Sequence, residues 1–357
     1  MKPFDTKRLY DEQGYFTPAV LIPWCLERGI CRCSVIGGRG TGKTIGTLMY
    51  LLKSGEYFAY SRRYAWQIAN IASSELSPLN AVNDNLGTDF MATKVSRDFY
   101  GCFEAEYDKE GKKRTRNMQG KCLGLLVPLS TGAGLKGFDG SKIRVWVSDE
   151  FVPDANESLL KNEGQAYWSI YETINRNREK HGNPPLLQIA YGNSNKVATP
   201  YTIEFGYIPH LIDMKNKEET SRIINKNELL ILMDDSPISN FKATQAVYKN
   251  RKSKYADMAV SNDFTDDHFS RIRKISHKEL LPKYKLGDLY ISAIKSGGWY
   301  VSLQNPGGQP QVYEASPIAV EKFRKQRGEF IVQYWWERII FSEEMAESLL
   351  QEYFHLC

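Results

Sequence analysis

Long apolar runs are missing from this sequence. No stretch of its 357 residues approaches the roughly 18 apolar positions a membrane-spanning helix needs. The opening MKPFDTKRLYDEQ has no apolar core of a secretory signal. Cysteine is sparse and scattered: Cys25, Cys31, Cys33, Cys102, Cys122 and Cys357 form one C-x-C and no C-x-x-C. The five histidines (His181, His210, His268, His277, His355) stand at no ligand spacing to them. A zinc knuckle and a disulfide framework are therefore not expected, and a reducing cytoplasm is. Internal repeats and low-complexity tracts are absent as well, which excludes solenoids and a disordered chain.

What is present is the composition of a folded protein, 42% hydrophobic and 25% charged. At about 100–200 residues per domain the length suggests two domains. A net charge of +5 permits a nucleic-acid partner without requiring one.

The first two-thirds alternates short apolar runs with helical stretches, the pattern of an α/β fold on a largely parallel sheet. Strands are expected at 31–36, 57–61, 145–147 and 186–191, and helices at 43–53, 64–76 (ended by Pro78) and 165–178. Residues 99–127 read as a hairpin with a basic tip holding Lys109, Lys112, Lys113, Arg114, Arg116 and Lys121. From about residue 215 the texture becomes charged and helical, and 241–285 is again basic with Tyr248, Tyr255, Phe269 and Tyr284 interleaved. Such patches track phosphates without reading bases, although charge runs are most often solvated faces. YISAIKSGGWYVSLQ then predicts a hairpin, QVYEAS and EFIVQYWW further strands, and SEEMAESLLQEYFHL a terminal helix.

The most specific motif is Gly37-Gly38-Arg39-Gly40-Thr41-Gly42-Lys43-Thr44, a full G-x-x-x-x-G-K-[ST] between an expected strand and an expected helix. That context makes it a phosphate-binding P-loop. Its glycines turn backbone amides inward around phosphates, Lys43 reaches the β- and γ-phosphates of ATP, and Thr44 ligates Mg²⁺. Some hundred residues on, the apolar strand to Val147 ends in Asp149-Glu150. There Asp149 would hold Mg²⁺ and Glu150 would polarise the attacking water, which favours hydrolysis over transfer. Arg176 and Arg178 in NRNR end a helix, where the macrodipole favours cations anyway; the functional reading is an arginine finger reaching a neighbouring subunit. Asn193 is a candidate γ-phosphate sensor in what is otherwise a turn position. Lys136, in GAGLKGFDG, reads either as a phosphate contact or as an ordinary exposed lysine.

In this order VIGGRGTGKT (35–44), YSRRY (60–64), VSDEF (147–151), NRNRE (175–179), Gly192-Asn193 and TPY (199–201) resemble the packaging ATPases of small podophages with protein-primed genomes, a Picovirinae-type branch of the large-terminase family. The resemblance covers most of the chain. It implies a P-loop NTPase domain (ASCE, RecA/terminase-like) over 1–212, a helical linker or lid over 213–258, and a smaller α+β RNase-H-like vestigial nuclease domain over 259–357. It also implies an ATP-driven translocase of double-stranded DNA, active in the host cytoplasm at the portal (connector) vertex of a procapsid. The assembly would be a homopentameric ring that a packaging RNA can scaffold. Arg176 would be the trans-acting finger, Lys136 a second catalytic lysine and Asn193 the sensor. Departures stand beside these: 152–155 lacks a lysine the family can carry there, and the basic hairpin tip is long.

In full-size terminases the C-terminal domain is a nuclease whose strand carboxylates bind two metals. Here the first strand of the corresponding hairpin carries no acid, and Asp288 only precedes it. A nuclease-like shell that binds nucleic acid is the expectation; a terminase with a live nuclease, using Asp288 with Asp263, Asp266 or Asp267, is the alternative. A P-loop kinase of small molecules and a non-catalytic nucleotide-gated module are further readings, disfavoured by Asp149-Glu150 and by the intact Lys43 and Thr44.

Overall fold

The computed structural model describes residues 2–73, 75–113, 120–135, 137–152, 160, 162–194, 197, 199–233, 236–245, 271–336 and 338–355. The chain divides into two compact units, one of residues 1–195 with 217–263 and one of 196–216 with 264–357.

The larger unit is built on a nine-stranded sheet in the order β3-β4-β5-β2-β6-β7-β1-β9-β8. Its strands are β1 (Arg32–Gly37), β2 (Phe58–Arg62), β3 (Phe90–Lys94), β4 (Tyr100–Glu104), β5 (Gly124–Pro128), β6 (Val145–Asp149), β7 (Leu187–Asn193), β8 (Ser221–Ile224) and β9 (Glu228–Met233). The six central strands run parallel, and antiparallel partners close both edges. β1 and β7 are buried along their whole length, so neither alternates buried with exposed positions, and their polar residues Arg32, Ser34, Gln188 and Asn193 are buried too.

Helices α1 (Leu21–Glu27), α2 (Lys43–Ser54), α3 (Ala65–Ile71), α4 (Pro78–Leu86), α5 (Glu163–Asn175) and α8 (Pro237–Thr244) belong to this unit. α2 buries Lys43, Thr47, Leu48, Leu51 and Leu52, a stripe at helical spacing. Glycines frame it, Gly42 before its first turn and Gly55 after its last, both with positive φ. The segment Tyr15-Phe16 straps its start: Phe16 N–H donates to Thr41 O at 2.8 Å, and the Phe16 ring meets Tyr191 edge-on. Under the adjoining β2–α5 region lies a bidentate, fully buried pair, Arg63 with Glu163 at 2.7 and 2.8 Å.

The smaller unit holds α6 (Pro200–Glu204), α7 (Ile208–Asn216) and a five-stranded mixed sheet. Its strands, β10 (Leu280–Leu286), β11 (Leu289–Ile294), β12 (Trp299–Ser302), β13 (Gln311–Tyr313) and β14 (Ile339–Phe341), run in the order β13-β10-β11-β12-β14. Helices Pro317–Gln326, Gly328–Trp335 and Glu344–His355 cover it. Its core is aromatic, with the Phe330 ring edge-on to those of Phe323 and Phe354, which are tilted to each other. The expected Gly-Gly hairpin joins β11 to β12, with Gly297 and Gly298 both at positive φ.

Three expectations fail. The stretch read as a helical linker over 213–258 contains β8 and β9, turned by Asn225 and Lys226 at positive φ, and β9 pairs with β1 in the main sheet. Residues 196–216 cluster with the C-terminal unit rather than with the 1–212 domain. EFIVQYWW is helical (Gly328–Trp335), not a strand, because Phe330, Ile331 and Tyr334 at i, i+1 and i+4 give it one face for the core. Pro78 also does more than stop a helix: it opens α4 at the position where a missing N–H costs nothing. The hairpin expected at 99–127 forms between β4 and β5, and Arg114 and Arg116 at its tip lie outside the described residues.

A Cβ on Gly46 would collide with the Phe16 carbonyl oxygen, which is backbone and cannot rotate away. Gly46→Ala should therefore displace the strap and destabilise the unit by about 2 kcal/mol, a loss of several degrees in thermal unfolding, despite alanine's better helix propensity.

Candidate active site

The carboxyl ends of the parallel strands converge on one crevice, where doubly wound sheets bind ligands. Register fixes the neighbours: Gly37 on β1 lies opposite Asn193 on β7, and Asp149 on β6 lies opposite Tyr191 on the same β7. β7 thus separates the P-loop strand from the acid-bearing strand and puts Asn193 between them.

The loop itself has the geometry its glycines predict. Gly40 and Gly42 take φ of +65° and +91°, and α2 begins with no side-chain cap, leaving its first amides for a ligand. Lys43 is buried, its Nζ donating to Gly38 O at 2.7 Å and Gly37 O at 3.2 Å, with Asn193 Oδ1 at 3.5 Å. Burial lowers its pKa to about 8; Asp149 and Glu150 pull the other way, and Lys242 and Arg39 add to the lowering.

Opposite the lysine, Asp149 Oδ2 accepts from Thr44 Oγ1 at 2.6 Å, Tyr60 OH at 2.5 Å and Arg62 Nη2 at 3.0 Å. The other arm of the same guanidinium donates to Glu150 Oε2 at 2.9 Å. Burial works against the Arg62 charge, but Tyr60, Asp149 and Glu150 outweigh it and hold the group more firmly protonated than usual. Burial, with the neighbouring carboxylate, likewise keeps the Tyr60 phenol neutral. Glu150 sits at positive φ with its side chain 41% exposed, so its carboxylate faces the crevice mouth. A cavity of about 860 Å³ opens there, lined by Arg62, Trp66, Gln67, Glu150 and Asn193 among others.

These residues fit a nucleoside triphosphate with a hard divalent cation. The uncapped helix start and buried ammonium match phosphate oxygens, and the Thr44 hydroxyl beside the Asp149 carboxylate is an all-oxygen pair suited to Mg²⁺.

Gly37 to Thr44, Asp149, Glu150 and Asn193 are thus brought together; Arg176 is not among them. It caps α5 at φ +41°, exposed to solvent, whereas Arg178 is buried and donates to Gly140 O and Ile174 O at 3.2 and 3.3 Å. Lys136 lies outside the described residues. Of the C-terminal acids, Asp288 is exposed in the β10–β11 turn with its N–H donating to Tyr353 OH, while Asp263, Asp266, Asp267 and His268 lie outside the described residues. Among the described residues no group of three His, Cys, Asp or Glu side chains could hold a metal, and no helix is long and apolar enough to cross a membrane.

Three contributors escaped the sequence reading: Tyr60, Arg62 and Lys242. The first two were within reach, since strand alternation in YSRRY puts 60 and 62 on one side and Arg63 on the other. Lys242, from α8, donates to Arg39 O in the P-loop, and nothing in its local sequence marks it.

A model of the Podovirus DNA encapsidation protein (Gp16) family matches residues 11–287. Two curated relatives, both described as DNA packaging proteins and coming from Bacillus phage PZA and Bacillus phage phi29, are each 27% identical over 247 residues. The match covers 68% of this chain and 64% of theirs, less than two thirds of the relatives' length. Two solved structures, described as the Phi-28 gp11 DNA packaging motor and the bacteriophage Phi-29 viral genome packaging motor assembly, match with TM-score 0.57 and 16% identity. They cover 96% of this chain and 97% and 99% of their own, a likeness of fold. With more than half its length matched by the family model, the chain belongs to the Podovirus DNA encapsidation protein (Gp16) family.

Proposed function

We propose that the chain is an ATPase that drives double-stranded DNA through a portal into a viral procapsid, working as a homo-oligomeric ring. The observation that carries the enzymatic half is the meeting of Lys43, Thr44, Asp149 and Glu150 at the ends of three adjacent strands and the helix between them. The DNA half rests on membership of the encapsidation family. The homopentamer, the packaging RNA, the portal contact and action in the host cytoplasm are parts of the same proposal.

Bound Mg²⁺·ATP would supply the phosphoanhydride to be cleaved and a cation that neutralises its charge, held by the amides of Gly40 to Thr44, by Lys43 and by the Thr44–Asp149 pair. The protein's own part follows from position. Glu150, exposed at the mouth beside Asn193, orients and deprotonates an attacking water. Arg62 grips Glu150 and Asp149 together, so it sets the angle at which that carboxylate faces the phosphates. Arg176, solvent-exposed at the end of α5, has the position of a finger offered to a neighbouring copy, and Arg178 is the anchor beside it. Lys136 would add a second lysine before β6. The five-stranded unit, whose described acids form no metal cluster, is assigned a nucleic-acid-binding role. The live-nuclease alternative is tested by incubating the full chain with DNA and Mn²⁺.

Hydrolysis measured with and without double-stranded DNA tests the reading. Turnover should rise with DNA and fall at least about a hundred-fold in both Lys43→Ala and Glu150→Gln, with nucleotide binding lost only in the former. Turnover indifferent to DNA would favour a kinase-like protein.

The two arginines should separate in a second experiment. Arg178→Ala removes a buried guanidinium that donates to the carbonyls of Gly140 and Ile174 and should cost about 1–3 kcal/mol in thermal unfolding, whereas Arg176→Ala should leave stability unchanged and abolish turnover. Mixing Arg176→Ala with Glu150→Gln subunits should restore part of the activity; no restoration at any ratio would remove the trans finger.

Protonation gives a third check. Phosphate beside Lys43 raises a pKa that burial holds near 8, so nucleotide binding takes up a proton where the free lysine is partly neutral. Affinity should be flat below about pH 7 and weaken by up to about ten-fold per unit above pH 8. Calorimetry in buffers of different ionisation heat should record proton uptake at pH 8.5 and little at pH 7.

A further inference from the structure

We infer that Lys242 is a second cation of the phosphate site, supplied by α8 of the same chain, and that it distinguishes a nucleoside triphosphate from a diphosphate. This deepens the nucleotide reading above and rests on it.

The first observation is placement. α8 follows β9, the strand that pairs with β1, and carries Lys242 back over the P-loop, where its ammonium donates to the Arg39 carbonyl. Gly40, next in the loop, would direct a Cβ to 2.7 Å from Lys242 Nζ and 3.4 Å from Cε. Gly40 therefore serves two ends: it takes φ +65°, and it leaves the space the ammonium occupies. The seat is not a loose surface contact, because the start of α8 is wedged against Gly14, whose missing Cβ would lie 2.8 Å from Pro237 Cβ, and Ser239 on its inner face is buried.

The second observation is charge. Lys43 holds the carbonyls of Gly37 and Gly38 while Lys242 holds that of Arg39, so two ammonium groups and the Arg39 guanidinium share one short loop. Among the described residues no carboxylate pairs with Lys242, and burial lowers its pKa. Its charge also bears on Lys43. Like charges gathered on one loop are unfavourable until an anion lies between them.

The third step is which anion. The amides at the start of α2 and Lys43 serve the phosphates nearest the helix. The early half of the loop, Arg39-Gly40, borders the outermost one. Lys242, seated there, exchanges the Arg39 carbonyl for an oxygen of a terminal phosphate, a contact a diphosphate does not reach.

The test is calorimetric titration of the full chain with Mg²⁺·ATPγS and with Mg²⁺·ADP, for the unmodified protein, Lys242→Ala, Lys242→Gln, Lys242→Arg and Lys43→Ala, with thermal unfolding of each. Lys242→Ala and Lys242→Gln should weaken ATPγS about ten-fold, the scale of one charge-assisted hydrogen bond, and leave ADP within about two-fold. Lys242→Arg should recover most of the loss, and the melting temperatures should stay together. Equal loss for both nucleotides with a lowered melting temperature would make Lys242 a structural prop of the loop, and no loss for either would make it a bystander; both overturn the inference while leaving nucleotide binding intact. An unmodified protein that binds neither nucleotide would overturn the nucleotide reading itself, and this inference with it.

Discussion

Three donors from two elements meet at one carboxylate oxygen, Asp149 Oδ2: Thr44 from the first turn of α2, and Tyr60 and Arg62 from β2. Asp149 is nearly inaccessible to water, so its charge is tolerable only because those donors are fixed before any ligand arrives. Each needs its own support. Thr44 is aimed by a helix whose start is held by glycines and by the Phe16 strap; Tyr60 and Arg62 are aimed by a strand clamped between β5 and β6. Loss of any support loosens the same oxygen, which makes the sheet and the strap parts of the site.

On the other side of the crevice the balance is reversed. Lys43, Arg39 and Lys242 gather positive charge on one loop; burial lowers the pKa of both lysines, and for Lys43 the charges of Lys242 and Arg39 add to that. A site poised with carboxylates on one wall and excess cations on the other is complementary to a phosphate chain that carries its own divalent cation. Such a ligand would relieve the repulsion that Lys242 and Arg39 exert on Lys43.

How far all this could be read from sequence depends on the range over which each signal acts. The P-loop and Asp149-Glu150 are local: glycine spacing and a strand ending in acids specify their own geometry, and the structure has the loop between β1 and α2 and the acids at the end of β6. The β8–β9 hairpin was misread because its residues are charged and helix-favouring by composition; what makes β9 a strand is the unfilled edge of β1, which lies some two hundred residues away in the chain. Gly328–Trp335 shows the converse, strand-favouring residues held helical by the packing of Phe330 and Tyr334. Lys242 was illegible for the same reason as β9, since it matters only because β9 delivers α8 to the loop. In NRNR helix position alone treats the two arginines alike and only the family resemblance singled out Arg176; burial now separates them, since Arg178 donates to carbonyls inside the fold and Arg176 is exposed.

Arg62 carries the consequence of these placements. A single planar guanidinium spans Asp149 and Glu150 with one arm each, so the two carboxylates do not move independently. On the proposed function, a divalent cation arriving at Asp149 would weaken the hold of that oxygen on the guanidinium and would free Glu150 to turn toward the phosphates. Glu150 has reason to move, since its positive φ is a conformation that only the surrounding contacts sustain. Cation binding and water activation would in this way be linked through one side chain. The exposed position of Glu150 beside Trp66 and the open cavity puts the outcome of that link where a neighbouring molecule would meet it.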